Sequence, residues 1–419
     1  MTMGIRFAMT ALLTASAAAS STYVVDDNPG PGVDFTSISA AVAFATPGDV
    51  LLVRPGNYGA FTLDKELTIL GAFGVAVAQG ARIENVASPD GVRMAELQFT
   101  TLAIANCAGP VLCDQVNVLA TGQSGASYEP ALSVSASSDV RFQRSTIRGR
   151  NGTSSGDQGR LGAWVDGSRV EFGGCTLRGG SGADFGFDTN GGPGASALLC
   201  RNGSRAHLAN TRAFGGNGGD ACGAFCSGQD GHGGHAVVVE GASTLVVSGG
   251  PSIELRGGMA GDTWGNASDG WGVLAWNSIV RWSGVTIENG SGFSPGVLGF
   301  ASTIVVPAQP DPTLELLGTP SVGQSVQIAM RGVAGQNARL QQGNETRLIV
   351  DGLSEIERLN NRIRLHPLGL INAAGEASMT ATVASSMAPG WTRIFQGLQI
   401  DPLTGGLDER TNSVFVIVR

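Results

Sequence analysis

A chain of 419 residues with a formal net charge of −8 lacks the basic surplus that a phosphate backbone calls for, which sets nucleic acid aside as a partner. Hydrophobic residues make up 42% of it, yet past the first few residues no apolar run is long enough to span a bilayer. Its six cysteines, an even number, fit an oxidising compartment.

Taken in order, residues 1–19 read as a signal peptide: Arg6 in a short n-region, Ala8 to Ala15 as the apolar stretch, and Ala17-Ala18-Ala19 as the cleavage site. The mature chain then starts near Ser20 and is secreted, periplasmic or held at the cell surface. Thr36 or Ser37 is placed to N-cap a two-turn helix whose Ile38, Ala41, Val42 and Ala45 share a face, and Pro47-Gly48 ends it. Strands are predicted at Val50 to Val53, Phe61 to Leu63 and Leu67 to Leu70, closed by Gly71. A helix at the mouth of a solenoid covers the apolar end of its first coil. The whole block, DFTSISAAVAFATPGDVLLVRPGNYGAFTLDKELTILG from Asp34 to Gly71, resembles the N-terminal cap and first coil of the pectin-lyase-like superfamily. The resemblance implies an all-β, right-handed parallel β-helix with an N-terminal capping helix. That superfamily includes pectate lyases, polygalacturonases and pectin methylesterases, but no stretch here matches their catalytic motifs, so the resemblance assigns no catalytic residue.

Residues 82 to 135 supply less regular coils around Met94 to Ile104, Val111 to Leu119 and Ala131 to Val134. From Ser138 to Gly299 one pattern then recurs at intervals of roughly 30 to 45 residues, the range of repeat architectures. In each unit inward apolar positions alternate with outward ones, as in Val140 and Phe142, Val170 and Phe172, Leu245 and Val247, Val280 and Trp282. One unit buries too little to stand alone, so units must stack, laying Phe142, Phe172, Leu208, Val247 and Trp282 into an internal ladder. Single strands separated by long excursions cannot form hairpins, which favours parallel pairing over a propeller or sandwich. Most of the 64 glycines fall in the loops of this stretch. The β-helix is thus assigned to 20–306. Residues 307–312, with three prolines, read as a linker, and 313–419, with alternating runs and no glycine loops, as a small antiparallel β-sandwich.

Candidate functional residues follow from position in the repeat. Asp184, Asp220 and Asp262 each lie five residues after the first glycine of a loop, and the first two loops fit the opening of a calcium-binding G-G-x-G-x-D pattern; the plainer reading is a turn-forming aspartate. Cys222, Cys226, His232 and His235 could by type form a zinc site, against a Cys222 to Cys226 disulfide. Cys107 and Cys113 flank a turn that would let them pair, which leaves Cys175 and Cys200 as a third candidate pair. Arg141, Arg148, Arg178, Arg256 and Arg281 occupy outward phases, where guanidinium groups would track the carboxylates of an acidic polysaccharide. Trp264 and Trp271, with Trp164 and Trp276, are candidate stacking platforms for sugar rings, although Trp276 and Trp282 also suit internal filling. Two functional readings result. One is an exported protein that recognises acidic polysaccharide, in its enzymatic form a calcium-assisted lyase with Arg178 or Arg256 as base and the three aspartates as metal ligands. The other is a non-catalytic structural or adhesive surface protein. The sequence sets no oligomeric state.

Overall fold

The structure, a computed structural model, describes residues 20–120, 129–154, 156–184, 190–221, 228–261, 267–292, 294, 296–307, 309, 311–343, 348–350, 357–359, 362–403 and 407–419. The expected signal peptide lies outside these residues. Three parallel sheets wind together from the N-terminus: sheet A of eleven strands, from Thr22–Val25 to Thr303–Val305; sheet B of nine, from Gly56–Tyr58 to Thr286–Glu288; and sheet C of nine, from Phe61–Leu63 to Val297–Phe300. The chain visits A, B and C in turn on each coil, and every strand pairs with its counterpart one coil on. This is a parallel β-helix.

The ladder expected from the alternation is present. Phe142, Phe172, Leu208, Val247 and Trp282 are in register on successive strands of sheet A. The Phe142 and Phe172 rings stack at 5.6 Å, and a single buried cluster runs from Val25 to Ile287. Sheet A turns into sheet B, and sheet C back into sheet A, through residues in the left-handed region. Asparagine tolerates that conformation best after glycine, and Asn85, Asn106, Asn202 and Asn277 occupy it at the turn from C to A. The helix Ile38–Phe44 is capped by Ser37, whose Oγ accepts the Ala40 N–H at 3.2 Å, and it buries Ile38, Ala41 and Val42.

The residues after Asp311 form antiparallel sheets: one of three strands (Thr313–Leu317, Ser325–Arg331, Glu376–Thr382), one of four (Arg362–Leu370, Asn337–Gly343, Thr392–Ile400, Leu407–Ile417), and a two-stranded hairpin. Both larger sheets feed one core, with Ile328 and Met330 from the first and Leu340 and Val414 from the second. This unit docks on the outer face of sheet A. Against the early coils Val50, Leu70, Ala95 and Leu112 meet Ile394, Phe415 and Ile417, and beside this apolar contact Arg419 pairs with Glu96 and, at 2.9 Å, with Asp114. Against later coils the contact is polar: Gln143 Nε2 donates to the Phe415 carbonyl at 2.6 Å and Gln143 Oε1 accepts the Phe415 N–H at 3.1 Å, while Glu171 accepts the Ser413 N–H at 3.1 Å.

The docking corrects two sequence expectations. Arg141 does point outward, but it is only 2% exposed, paired with Asp139 at 2.7 Å and donating to Ser413 Oγ. Arg281, also outward, pairs with Asp311 at 2.5 Å, and the Asp311 backbone N–H donates to Ser283 Oγ at 2.9 Å. Neither arginine belongs to an open polysaccharide track; both anchor the C-terminal unit and the segment leading to it.

Candidate functional site

The joins from sheet B to sheet C hold the residues of interest. In the early coils they are minimal, only Gly59 and Ala60 separating Tyr58 from Phe61. In later coils they lengthen to 149–162, 179–197, 215–236 and 257–272 before shortening to 289–296. Each long join runs out and returns, and its hydrogen bonds repeat every third residue, the period of a polyproline II helix. On the outgoing arms, Gly149 and Gly152 donate to Arg178 and Ser181, Gly179 and Gly182 to Phe214 and Asn217, and Gly215 and Gly218 to Arg256 and Met259, each one coil on. The next residue of each triplet bonds between arms: Gly180 to Arg160, Gly216 to Ala195, Gly219 to Gly192 and Gly258 to Gly234. Chains this close leave no room for side chains. A Cβ on Gly180, Gly216 or Gly258 would overlap a backbone carbonyl of the neighbouring coil, which is the physical reason for the glycine abundance. The result is a slab of laterally bonded, extended segments standing on the corner between sheets B and C.

The third residue of each triplet points outward, and its side chain serves the remaining N–H. Asn151 Oδ1 accepts from Ser181, Asp184 Oδ1 from Asp220, and Asn217 Oδ1 from Met259, at 3.0 to 3.2 Å. With a period of three, these side chains continue the outward column of sheet B. The rows are Arg148, Asn151, Ser154; Arg178, Ser181, Asp184; Phe214, Asn217, Asp220; and Arg256 followed by Met259. Register within sheet B aligns Arg148, Arg178, Phe214, Arg256 and Glu288 on consecutive rungs. Arg148, Arg178 and Arg256 are exposed; the Arg178 guanidinium lies 4.7 Å from the Phe214 ring and Arg256 pairs with Glu254 at 3.3 Å. Beyond them the slab hollows into an open concavity of ≈ 650 Å³, lined by outward residues including Asn151, Ser154, Asp184, Asn217, Asp220 and Met259.

This geometry sorts the expected residues. Arg148, Arg178 and Arg256 share one column, and Asp184 and Asp220 share another, two triplets farther out. At about 3.1 Å per residue the six residues from Arg178 to Asp184 span roughly 19 Å, so the structure does not bring a lyase base beside these aspartates. Asp262 and Trp264 lie outside the described residues. Among the described residues no group of three or more His, Cys, Asp or Glu is arranged to hold a metal ion. Trp271 sits on a returning arm, where its N–H donates to His235 Nδ1, and is not among the residues of the concavity. Trp164 faces outward on sheet C with Arg201 over its ring at 4.4 Å, and Trp276 is exposed against Phe300, not internal filler.

The histidine and cysteine expectations also change. His232 Nδ1 and His235 Nδ1 accept the backbone N–H groups of Ser268 and Trp271, both at 2.9 Å. Both thus serve the slab as Asn151 and Asn217 do; Cys222 and Cys226, the other two residues of the zinc reading, lie outside the described residues. Cys107, Cys113, Cys175 and Cys200 are free and buried, which overturns the two pairings expected of them. Each fills a rung: Cys113 between Met94 and Phe142, Cys200 between Val165 and Val239, Cys107 below Ser137 and Cys175 below Thr211. Burial pushes the Cys175 and Cys200 thiols up to about 12, leaving them inert. The triplet period was the readable signal for this site, in Gly-Gly-Ser-Gly-Ala-Asp and Gly-Gly-Asn-Gly-Gly-Asp, where glycine spares two positions of three and the third is polar.

Among solved structures, pectin methylesterase PemA from Erwinia chrysanthemi is similar over 69% of this chain and 90% of its own, at 15% identity and a TM-score of 0.26. A likeness at that level carries no catalytic assignment, and the parallel β-helix stands on its own strand pairing. No protein-family model and no curated protein matches the chain.

Proposed function

We propose that this chain is an exported β-helix protein that binds acidic polysaccharide on the face made by sheet B and the outgoing arms of the glycine slab, without cleaving it. The observation that carries the reading is the exposed column of Arg148, Arg178 and Arg256, two of them on adjacent rungs about 4.8 Å apart. Strand pairing beneath sets these arginines in one line, so a polymer bearing regularly spaced carboxylates meets guanidinium donors at a matching spacing. The distance between that column and Asp184 and Asp220 argues for retention of the polymer and against β-elimination.

Titration of the full chain with a polyuronate, at two salt concentrations, tests the reading. The triple variant Arg148→Ala, Arg178→Ala, Arg256→Ala should bind at least tenfold more weakly and lose most of the salt dependence, since each exposed charge contact is worth up to about 1 kcal/mol. Ultraviolet absorbance from unsaturated uronides, with calcium present, should not rise. Wild-type affinity in the triple variant would return the chain to a purely structural role, and a rise in absorbance would restore the lyase.

A further inference from the structure

The concavity beyond the arginine column has a different chemistry from the column itself, and we infer that it is a separate subsite for neutral sugar units. This deepens the polysaccharide reading and rests on it for the ligand class. Its walls present two amides, Asn151 and Asn217, the Ser154 hydroxyl, the carboxylates of Asp184 and Asp220, and the thioether stem of Met259. No arginine or lysine is among its described lining residues, and Arg150, which donates to Thr153 Oγ1 at the wall, is paired with Asp157, so a uronate there would meet carboxylates without a dedicated counter-charge. Sugar hydroxyls suit it instead: carboxylate oxygens accept from them, and amides both donate and accept. Met259, 54% exposed, offers an apolar patch to the C–H face of a ring.

Two features make this a built surface. Its volume of ≈ 650 Å³ falls in the range of ligand-sized pockets. The side chains that line it are also held, because Asn151, Asp184 and Asn217 each accept a backbone N–H of the following coil. Lying one to two triplets from the arginines, roughly 9 to 19 Å along the arm, the subsite selects an acidic polymer that carries neutral units, as branches or in alternation, at that distance from its carboxylates.

The test uses the full chain and two probes, a panel of neutral hexose and pentose oligosaccharides and a polyuronate homopolymer. Wild type should bind at least one neutral oligosaccharide, and Asp184→Asn with Asp220→Asn should weaken that binding at least fivefold while leaving polyuronate affinity equal or slightly higher. Asparagine keeps the oxygen that accepts the Asp220 N–H, so the slab should stay folded. Ser154→Trp, at an exposed position, should fill the concavity and abolish neutral binding by itself. Absence of neutral binding in wild type, or wild-type affinity in both variants, would overturn the subsite whatever the polyuronate does. Loss of polyuronate binding alone would count against the arginine column and leave the subsite standing.

Discussion

The coils before Leu119 and those after Val140 share three sheets and one register, but they cohere by different means. In the early coils the joins are short and the bulk of cohesion is side-chain burial, with Ile69, Ile83, Met94 and Phe99 essentially inaccessible. In the later coils the same strands continue, and beside them stands the slab, which has almost no side chains to bury and is held by backbone hydrogen bonds in two directions. A solenoid can therefore widen without a second hydrophobic core if two residues of every three are small enough for backbones to touch. The third position is then left to choose its chemistry, and the candidate ligand face is written there.

The widest break in that comparison should come from adding one small side chain to the slab. In Gly216→Val a Cβ would overlap the Gly180 carbonyl, and no flexible neighbour can yield because the obstacle is backbone bonded on both sides. A loss of about 4 kcal/mol or more in chemical denaturation is expected, with loss of polysaccharide binding. Gly59→Ala, in an early join with nothing within 4 Å of the new Cβ, should stay within about 0.5 kcal/mol of wild type. Equal effects at the two sites would mean that the slab is not close-packed.

Alternation made the strands legible because one period of two settles both the element and its buried face. Phe142, Phe172 and Leu208 are aligned as the sequence predicts for that reason. The slab was less legible. Its triplets are as regular as the strands, but glycine loops suggest turns and metal sites first, and lateral bonding between extended arms has no hydrophobic signature. The fate of Arg141 was not readable at all. Its outward phase is correct, yet its burial depends on Ser413, 272 residues away in sequence, and no local pattern encodes where a second unit docks. Cys107 and Cys175 misled for a related reason: cysteine is also a small buried filler, and only the columns show that it stands in for serine or threonine.

The docked interface carries a test of its own, because a histidine stands in the outward column of sheet A beside Glu171, which accepts from Ser413 of the docked unit. His207, in register with Glu171 on sheet A, has its ring Nε2 3.0 Å from Ser248 Oγ. Desolvation pushes its pKa down to about 4, with Asp311 opposing the fall and Arg205 adding to it. A histidine depressed in the folded state takes up its proton first in the unfolded chain. Its contribution is therefore complete above an unfolded value of about 6.5, declines as pH falls from there, and is gone below the folded value of about 4. Denaturation midpoints of wild type and His207→Gln should converge as pH falls from 7 toward 4.5, the wild type losing more. Parallel curves would place the acid sensitivity elsewhere.

A milder effect than that of Gly216→Val is expected in the corner column between sheets C and A, where both modes of cohesion meet. In the early coils that column holds Val86 and then Cys107; later it holds Ser137, Ser168, Ser204 and Ser243, each hydroxyl accepting the N–H of the residue one coil before. Ser168 Oγ takes the Ser137 N–H at 3.0 Å and donates to the Asp166 carbonyl at 2.8 Å. Ser168→Val moves the early solution into the late column: it adds apolar volume but strands a buried donor, and should cost about 1–3 kcal/mol. Ser168→Cys keeps a weak acceptor of the kind already tolerated at Cys107 and should cost less than half as much. If valine proves the better substitute, burial governs this column as it does in the first coils, and hydrogen bonding would distinguish the later coils only within the slab.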